Sequence, residues 1–204
     1  MSIAGIVLAA GSSSRLGRPK QTVVLDGETL VERAVRVAQE AGLAPVIAVI
    51  HPEGDFGYSL QQLGCLVVIN EGFAEGMASS IRRGVAVAQM LKASGIVLMT
   101  CDQVAVTPEH LRALYEDTEN IAGSGYAGKV GIPAYFPVSG FDALQQLSGD
   151  VGAREMLRTA RVVLKDGLGL DIDTEEDLVR AQILFEHNAR RRMRTAKFKP
   201  QADS

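Results

Sequence analysis

Arg15, Arg18 and Lys20 stand just behind Gly11 and a run of three serines in the stretch "VLAAGSSSRLGRPKQ". Glycine lets backbone N–H groups approach a ligand closely, and serine hydroxyls donate hydrogen bonds. Guanidinium groups grip phosphate in forks, and an ammonium meets it as a point charge. Together they point to a phosphate-binding loop. Two well-known loops do not fit it. The dinucleotide fingerprint G-x-G-x-x-G is missing, and the P-loop spacing fails because five residues separate Gly11 from Gly17, after which Arg18-Pro19 follows. What remains is a loop in which Gly11 permits close approach while Arg15 and Lys20 meet separate phosphate oxygens. A triphosphate carries about four negative charges, so two or three cations and a metal are its natural complement. The alternative is a glycine-rich turn whose cations only soften an acidic surface.

Carboxylates are the second chemical signal. Asp102 lies just past an apolar run in "GIVLMTCDQVAVTPEHL", and Asp171 and Asp173 alternate around Ile172 in "LGLDIDTEEDL". Residues i and i+2 of an extended segment share a side. If that segment joins the same sheet edge, one of the pair faces Asp102, and together they can hold Mg²⁺, which takes oxygen ligands and keeps several waters. Two other roles stay open: Asp102 as a turn cap, and Asp173 as an acid at a helix entry. His51, His110 and His187 are scattered, so no Ser-His-Asp set assembles. Cys65 and Cys101 match no zinc spacing and read as reduced thiols, Cys101 as small buried filling.

These groups need a scaffold. Residues 3–9 form a continuous apolar run of the kind buried on both faces of a parallel sheet, and comparable runs recur at 46–50, 66–69 and 95–100. Between them, "ETLVERAVRVAQEAG" and "EGMASSIRRGVAVAQMLKA" carry apolar residues at helical spacing, the second along Met77, Ile81, Val85, Ala88 and Leu91 up to Gly95. Thr107 with Pro108 starts a third helix, and Thr174 with Asp177 starts the last. Residues 121–147 are rich in glycine and proline and read as short strands and loops, and Pro133 argues against a central strand there unless it sits at an edge. Strand and helix alternating in this way predict an α/β fold: a three-layer, Rossmann-like, mostly parallel twisted sheet with helices on both faces.

The 204 residues suit one domain, residues 1–189, followed by a basic tail, 190–204, expected to be flexible. That tail holds six of the 21 Lys and Arg and one of the 24 acids, leaving 15 basic and 23 acidic groups, a charge of −8, on the body. An acidic body is a poor partner for nucleic acid, and no apolar run is long enough to span a bilayer. The expectation is a soluble, cytoplasmic protein whose partners are small molecules.

The segments "LAAGSSSRLGRPKQ", "EGMASSIRRGV", "TCDQVAVTPEHL", "GIPAYF", "GDVGAREML" and "DIDTEEDL" occur in an order and spacing that resemble the MobA-like nucleotidyltransferases, most of all their molybdenum cofactor cytidylyltransferase branch, across residues 3 to about 185. The resemblance implies a nucleotide-diphospho-sugar transferase-like fold. It also implies nucleotidyl transfer from an NTP to a phosphorylated acceptor with release of pyrophosphate. Under it Ala9, Ala10, Gly11 and Ser12 approach the nucleotide by backbone, and Arg15 and Lys20 hold the phosphates. Gly76, Met77, Ser79 and Ser80 lie by base and ribose, and Asp102, Asp171 and Asp173 bind Mg²⁺, with Arg15, Lys20 and Asp102 as the catalytic set. Ala10, where guanylyl members tend to carry glycine, favours CTP. Similar cytidylyl enzymes often read GDQP and GHP where this chain has "CDQV" and "GIP", so the resemblance bears more on the nucleotide half than on the acceptor. It leaves room for molybdopterin as acceptor, and for a molybdoenzyme or maturation factor as partner. The other readings are a GTP-using or a sugar- or alcohol-phosphate-using transferase of this fold, and a non-catalytic nucleotide-binding maturation module.

Overall fold

A computed structural model describes residues 2–11, 16–165 and 167–196, with side chains as far as residue 186. Along the chain run β1 (Ile3–Ala9), β2 (Val24–Leu25), β3 (Glu28–Thr29), α1 (Leu30–Glu40), β4 (Val46–Ile50), α2 (Gly57–Gln62), β5 (Leu66–Ile69), α3 (Met77–Met90), β6 (Gly95–Thr100), α4 (Pro108–Leu114), β7 (Ala122–Tyr126), β8 (Lys129–Pro137), α5 (Phe141–Gln145), β9 (Arg161–Leu164) and α6 (Glu175–Ala196). The main sheet has the order β5-β4-β1-β6-β8-β7-β9. Its first four members are parallel, β8 runs antiparallel to both neighbours, and β9 is parallel to β7.

Alternation along the central strands builds the layers. Val7 and Ala9 of β1 and Ala48 and Ile50 of β4 face one way, onto Val31, Ala34 and Val35 of α1 and Leu111 of α4. Ile6, Leu8, Ile47 and Val49 face the other way, onto Ile81 and Val85 of α3 and Phe141 and Leu144 of α5. Side chains that alternate across a strand thus fill two cores, which is why β1 and β4 are apolar at every position. A third cluster, with Leu25, Leu30, Val104, Ile172, Leu178 and Ala181, fixes the start of α6 against the main body. That small core controls the position of the segment carrying Asp171 and Asp173.

Helix starts follow their caps. The Thr107 hydroxyl accepts from the His110 N–H, with Pro108 in the first turn. Thr174 and Asp177 close a reciprocal box in which the Asp177 N–H donates to Thr174 Oγ1 at 3.2 Å and the Thr174 N–H to Asp177 Oδ2 at 3.0 Å. Such a cap satisfies N–H groups that have no partner within the helix.

Three expectations need correction. Pro133 sits inside β8, an interior strand, and not at an edge. The ladder with β7 shifts there: Gly123 pairs with Ala134 and Ser124 with Gly131, so Ile132 and Pro133 lie in a bulge where proline's missing N–H breaks no ladder bond. β5 is an edge strand with Leu66 and Ile69 exposed, and not a strand buried on both faces. The helix begun at Met77 stops at Met90, short of Gly95, because Lys92 takes a left-handed φ of 57°; Met77 and Leu91 at its ends are exposed. The last helix continues to Ala196, into the segment expected as a tail, and residues 197–204 lie outside the described residues. No helix among the described residues is long and apolar enough to cross a membrane.

Candidate active site

β1 delivers the chain into a cleft of about 430 Å³ walled by Ala10, Gly11, Lys20, Gln21, Ser80 and Asp102. Ser12 and Arg15, expected at this loop, lie outside the described residues. Arg18 turns away: its guanidinium pairs with Glu175 at 2.8 Å on the surface, at the first turn of α6. Ala9 and Ala10 are buried, and Gly11 is exposed at the cleft.

The loop is held by a residue that the motif reading did not single out. Gln21, 3% exposed, lies in a 3-10 turn spanning Lys20–Thr22, and its side-chain amide donates to the carbonyls of Ala9 at 3.0 Å and Gly11 at 2.8 Å. Both amide protons are thereby spent on the two peptides flanking Ala10. The signal was present in "RPKQ", where a glutamine follows the phosphate-binding candidate directly.

Lys20, its neighbour, reaches the acids. Lys20 Nζ lies 2.5 Å from Asp102 Oδ2 and 3.2 Å from Asp173 Oδ1. Burial works against its charge, yet Asp102 above all, with Asp173, holds Lys20 above the ordinary lysine range. The lysine expected at phosphates is therefore also the counter-ion of two of the expected metal ligands. The third joins them through backbone. Gln103 and Asp171 form an antiparallel bridge, and the Ile172 N–H donates to the Asp102 carbonyl at 3.2 Å. Ile172 points into the core and leaves Asp171 and Asp173 on the side of Asp102. Burial first, then the nearby charges of Asp102 and Asp173, push the Asp171 carboxyl up to about 6.

Asp102 Oδ1 and Asp171 Oδ1 are buried oxygens without a hydrogen-bond partner among the described residues. Buried acceptors without donors are costly, and two carboxylates brought together need positive charge. Among the described residues no set of three or more His, Cys, Asp or Glu is gathered tightly enough to enclose a metal by itself. That donor set fits Mg²⁺ held by one or two carboxylates, with waters and substrate phosphates completing its shell. Cys101 beside it is buried, and its thiol is pushed up to about 12 by burial and the Asp102 charge, which leaves it protonated and inert.

The opposite wall is the start of α3. Gly76 has φ 114°, and a Cβ there would collide with Asp150 Oδ1. Asp150 uses that gap: its carboxylate accepts the Met77 N–H at 3.2 Å, filling the end of the helix. Met77 and Ser80 line the cleft, whereas the Ser79 hydroxyl donates to the Gly76 carbonyl at 2.9 Å. Phe73 also lines it and packs against the His51 ring, with centroids 4.0 Å apart. Met77 and Asp150 are shared with a second cavity of about 490 Å³, bordered by Tyr126, Lys129, Ile132 and Arg154. Asp150 stands in the quoted "GDVGAREML", but nothing in sequence revealed that it closes a helix far away in the chain.

Comparison with known proteins bears on this arrangement. Residues 5–164 match the model of the MobA-like NTP transferase domain. The purine catabolism protein PucB of Bacillus subtilis is 32% identical over 197 residues, covering 86% of this chain and 95% of that protein. A probable molybdenum cofactor guanylyltransferase of Opitutus terrae is 37% identical over 84 residues, 41% of this chain and 42% of the relative. The crystal structure of Rv0371c from Mycobacterium tuberculosis has a TM-score of 0.75 at 32% identity over 89% of this chain and 98% of its own. A manganese complex of Rv0371c gives 0.70 at 31% identity, with the same coverage.

Proposed function

The chain belongs to the MobA-like NTP transferase family, and from that premise we propose that it transfers CMP from CTP to a phosphorylated small-molecule acceptor of the molybdenum cofactor type, releasing pyrophosphate. The observation that carries this reading is the pair of unpartnered oxygens, Asp102 Oδ1 and Asp171 Oδ1, buried beside Lys20 at the cleft where β1 ends. Asp102 and Asp171, with Asp173 next to them, would hold Mg²⁺, which when bound neutralises and orients phosphate oxygens. A manganese complex of Rv0371c is in keeping with a divalent ion.

The chemistry asked of the protein is positioning and charge. An oxygen of the acceptor phosphate attacks the α-phosphorus in line, a new P–O bond forms, and the bond to the β-phosphate oxygen breaks, its electron pair leaving with pyrophosphate. The nucleophile is already anionic, so no side chain has to take a proton. The roles of the loop backbone from Ala9 to Ser12 and of Arg15 and Lys20 are to meet the triphosphate and the charge that develops on the leaving group. Gly76, Met77 and Ser80 would border the nucleoside. The acceptor would enter from the second cavity, where Lys129 and Arg154 suit an anion.

Ala10 supports CTP, whereas the name of the Opitutus terrae relative supports GTP. Pyrophosphate release measured with CTP, GTP, ATP and UTP, each against molybdopterin and a panel of sugar and alcohol phosphates, tests both halves. Release with CTP and a phosphorylated acceptor is the expected result. Release with GTP alone overturns the base assignment, and nucleotide binding without release from any pair overturns catalysis.

A further inference from the structure

Asn70 follows β5 and is fully buried, with its own N–H donating to the Ile50 carbonyl at 2.9 Å. The orientation of its side-chain amide is fixed by one neighbour. The Gly72 N–H, which can only donate, lies 3.0 Å from Oδ1. The NH₂ group must then face Ser79 Oγ at 2.8 Å and Ser80 Oγ at 2.9 Å, and donate to both. Each serine oxygen accepts from Asn70, so each hydroxyl proton has to go elsewhere. The proton of Ser79 goes to the Gly76 carbonyl at 2.9 Å. Ser80 has no acceptor among the described residues, and it lines the nucleotide cleft.

We propose that Asn70 is a positioning residue that fixes Ser80 as a hydrogen-bond donor, and that Ser80 selects a substrate presenting an acceptor oxygen on its nucleoside part. The inference rests on the nucleotide reading above and assigns within it a polarity that the resemblance did not supply. Of the two adjacent serines, Ser79 holds the first turn of α3, and Ser80 reads the ligand. The acceptor is a ribose hydroxyl oxygen or a base carbonyl, and both present the same lone pairs to a single O–H.

Calorimetric titration of the whole chain with CTP and GTP, beside thermal unfolding, tests this. Ser80→Ala raises Kd about tenfold, the size of one neutral hydrogen bond. Asn70→Asp keeps the acceptor for Gly72 but replaces the donor with a carboxylate that takes the Ser80 proton; it raises Kd by a similar factor, and the double variant adds nothing further. With 2′-deoxy and 3′-deoxy nucleotides, a vanishing Ser80→Ala penalty assigns the partner to a ribose hydroxyl, and a persisting penalty assigns it to the base. A folded Ser80→Ala variant that binds as tightly as the unaltered protein overturns the inference, as does full additivity with Asn70→Asp. An unaltered protein that binds no nucleoside triphosphate overturns the nucleotide reading itself, and this inference with it.

Discussion

Asp102 and Asp171 are joined by main chain: the Ile172 N–H donates to the Asp102 carbonyl, and Gln103 bridges Asp171. The two carboxylates come from distant segments, yet their separation is set by peptide geometry and not by flexible side chains alone. Each keeps one buried oxygen that no donor among the described residues reaches.

Asp102→Asn removes the charge and keeps the shape. Pyrophosphate release is expected to fall by about 10²-fold or more, in line with the loss of a charged group at other transition states. Thermal unfolding checks that the fold survives, since Lys20 retains Asp173 as a partner. Turnover at the unaltered level would remove Asp102 from the site.

Gln21→Leu leaves the carbonyls of Ala9 and Gly11 without their donor. A buried unsatisfied acceptor costs about 1–3 kcal/mol, so the unfolding midpoint in urea should drop. Because the lost bonds flank Ala10, KM for the nucleotide is expected to rise about tenfold while kcat changes less. An effect on stability with KM unchanged would show that the clamp serves the fold alone.

Gly76→Ala combines a backbone strained at φ 114° with a Cβ driven against Asp150. The 149–150 turn must move, and the Met77 N–H loses its carboxylate. Weaker nucleotide binding by calorimetry is the expected outcome, with a modest fall in Tm. Asp150→Ala in the same background should restore part of the stability, because it removes the atoms in the way.

His110 gives the molecule an acid-sensitive joint. Its Nε2 lies 2.7 Å from Ser124 Oγ, which itself donates to the Pro133 carbonyl, so Nε2–H is the donor. Burial above all, and the nearby Lys165 charge, push it down from 6.5 to about 4. Between those values the unfolded chain binds a proton that the folded chain refuses, so stability falls as pH is lowered through that window and is untouched above it. The ceiling is about 3 kcal/mol for a group so buried. Urea unfolding at pH 7 and pH 4.5 measures the loss, and His110→Gln should flatten it.

Much of this was legible in residue order. The runs at 3–9, 46–50, 66–69 and 95–100 became strands with those same bounds; three of them have no reason to alternate because helices cover both faces, whereas 66–69 is apolar at the sheet edge with Leu66 and Ile69 exposed. Asp102 lies where it was expected, past the end of β6 on the crevice side of such sheets; the Asp171–Asp173 segment belongs to no strand of the sheet and reaches it through the Gln103–Asp171 bridge and the packing of Ile172. Pro133 misled because the bulge that accommodates it depends on Ser124 across the ladder, and pairing is not local information. Gln21, Asn70 and Asp150 act through bonds to main chain or hydroxyls that were identified only in three dimensions. Amides and acids of that kind look the same in sequence as solvated surface residues.

The two cavities draw on separate stretches of chain. The first takes its walls from residues 8–11, 20–21, 73–80 and 100–102, the second mainly from 126–132 and 150–157, with Met77 and Asp150 as their party wall. Under the proposed reading, the chamber for the incoming partner can therefore be retooled without disturbing the berth proposed for the triphosphate. Substitutions at Lys129 and Arg154 touch one room alone, and a substitution at Asp150 is felt in both.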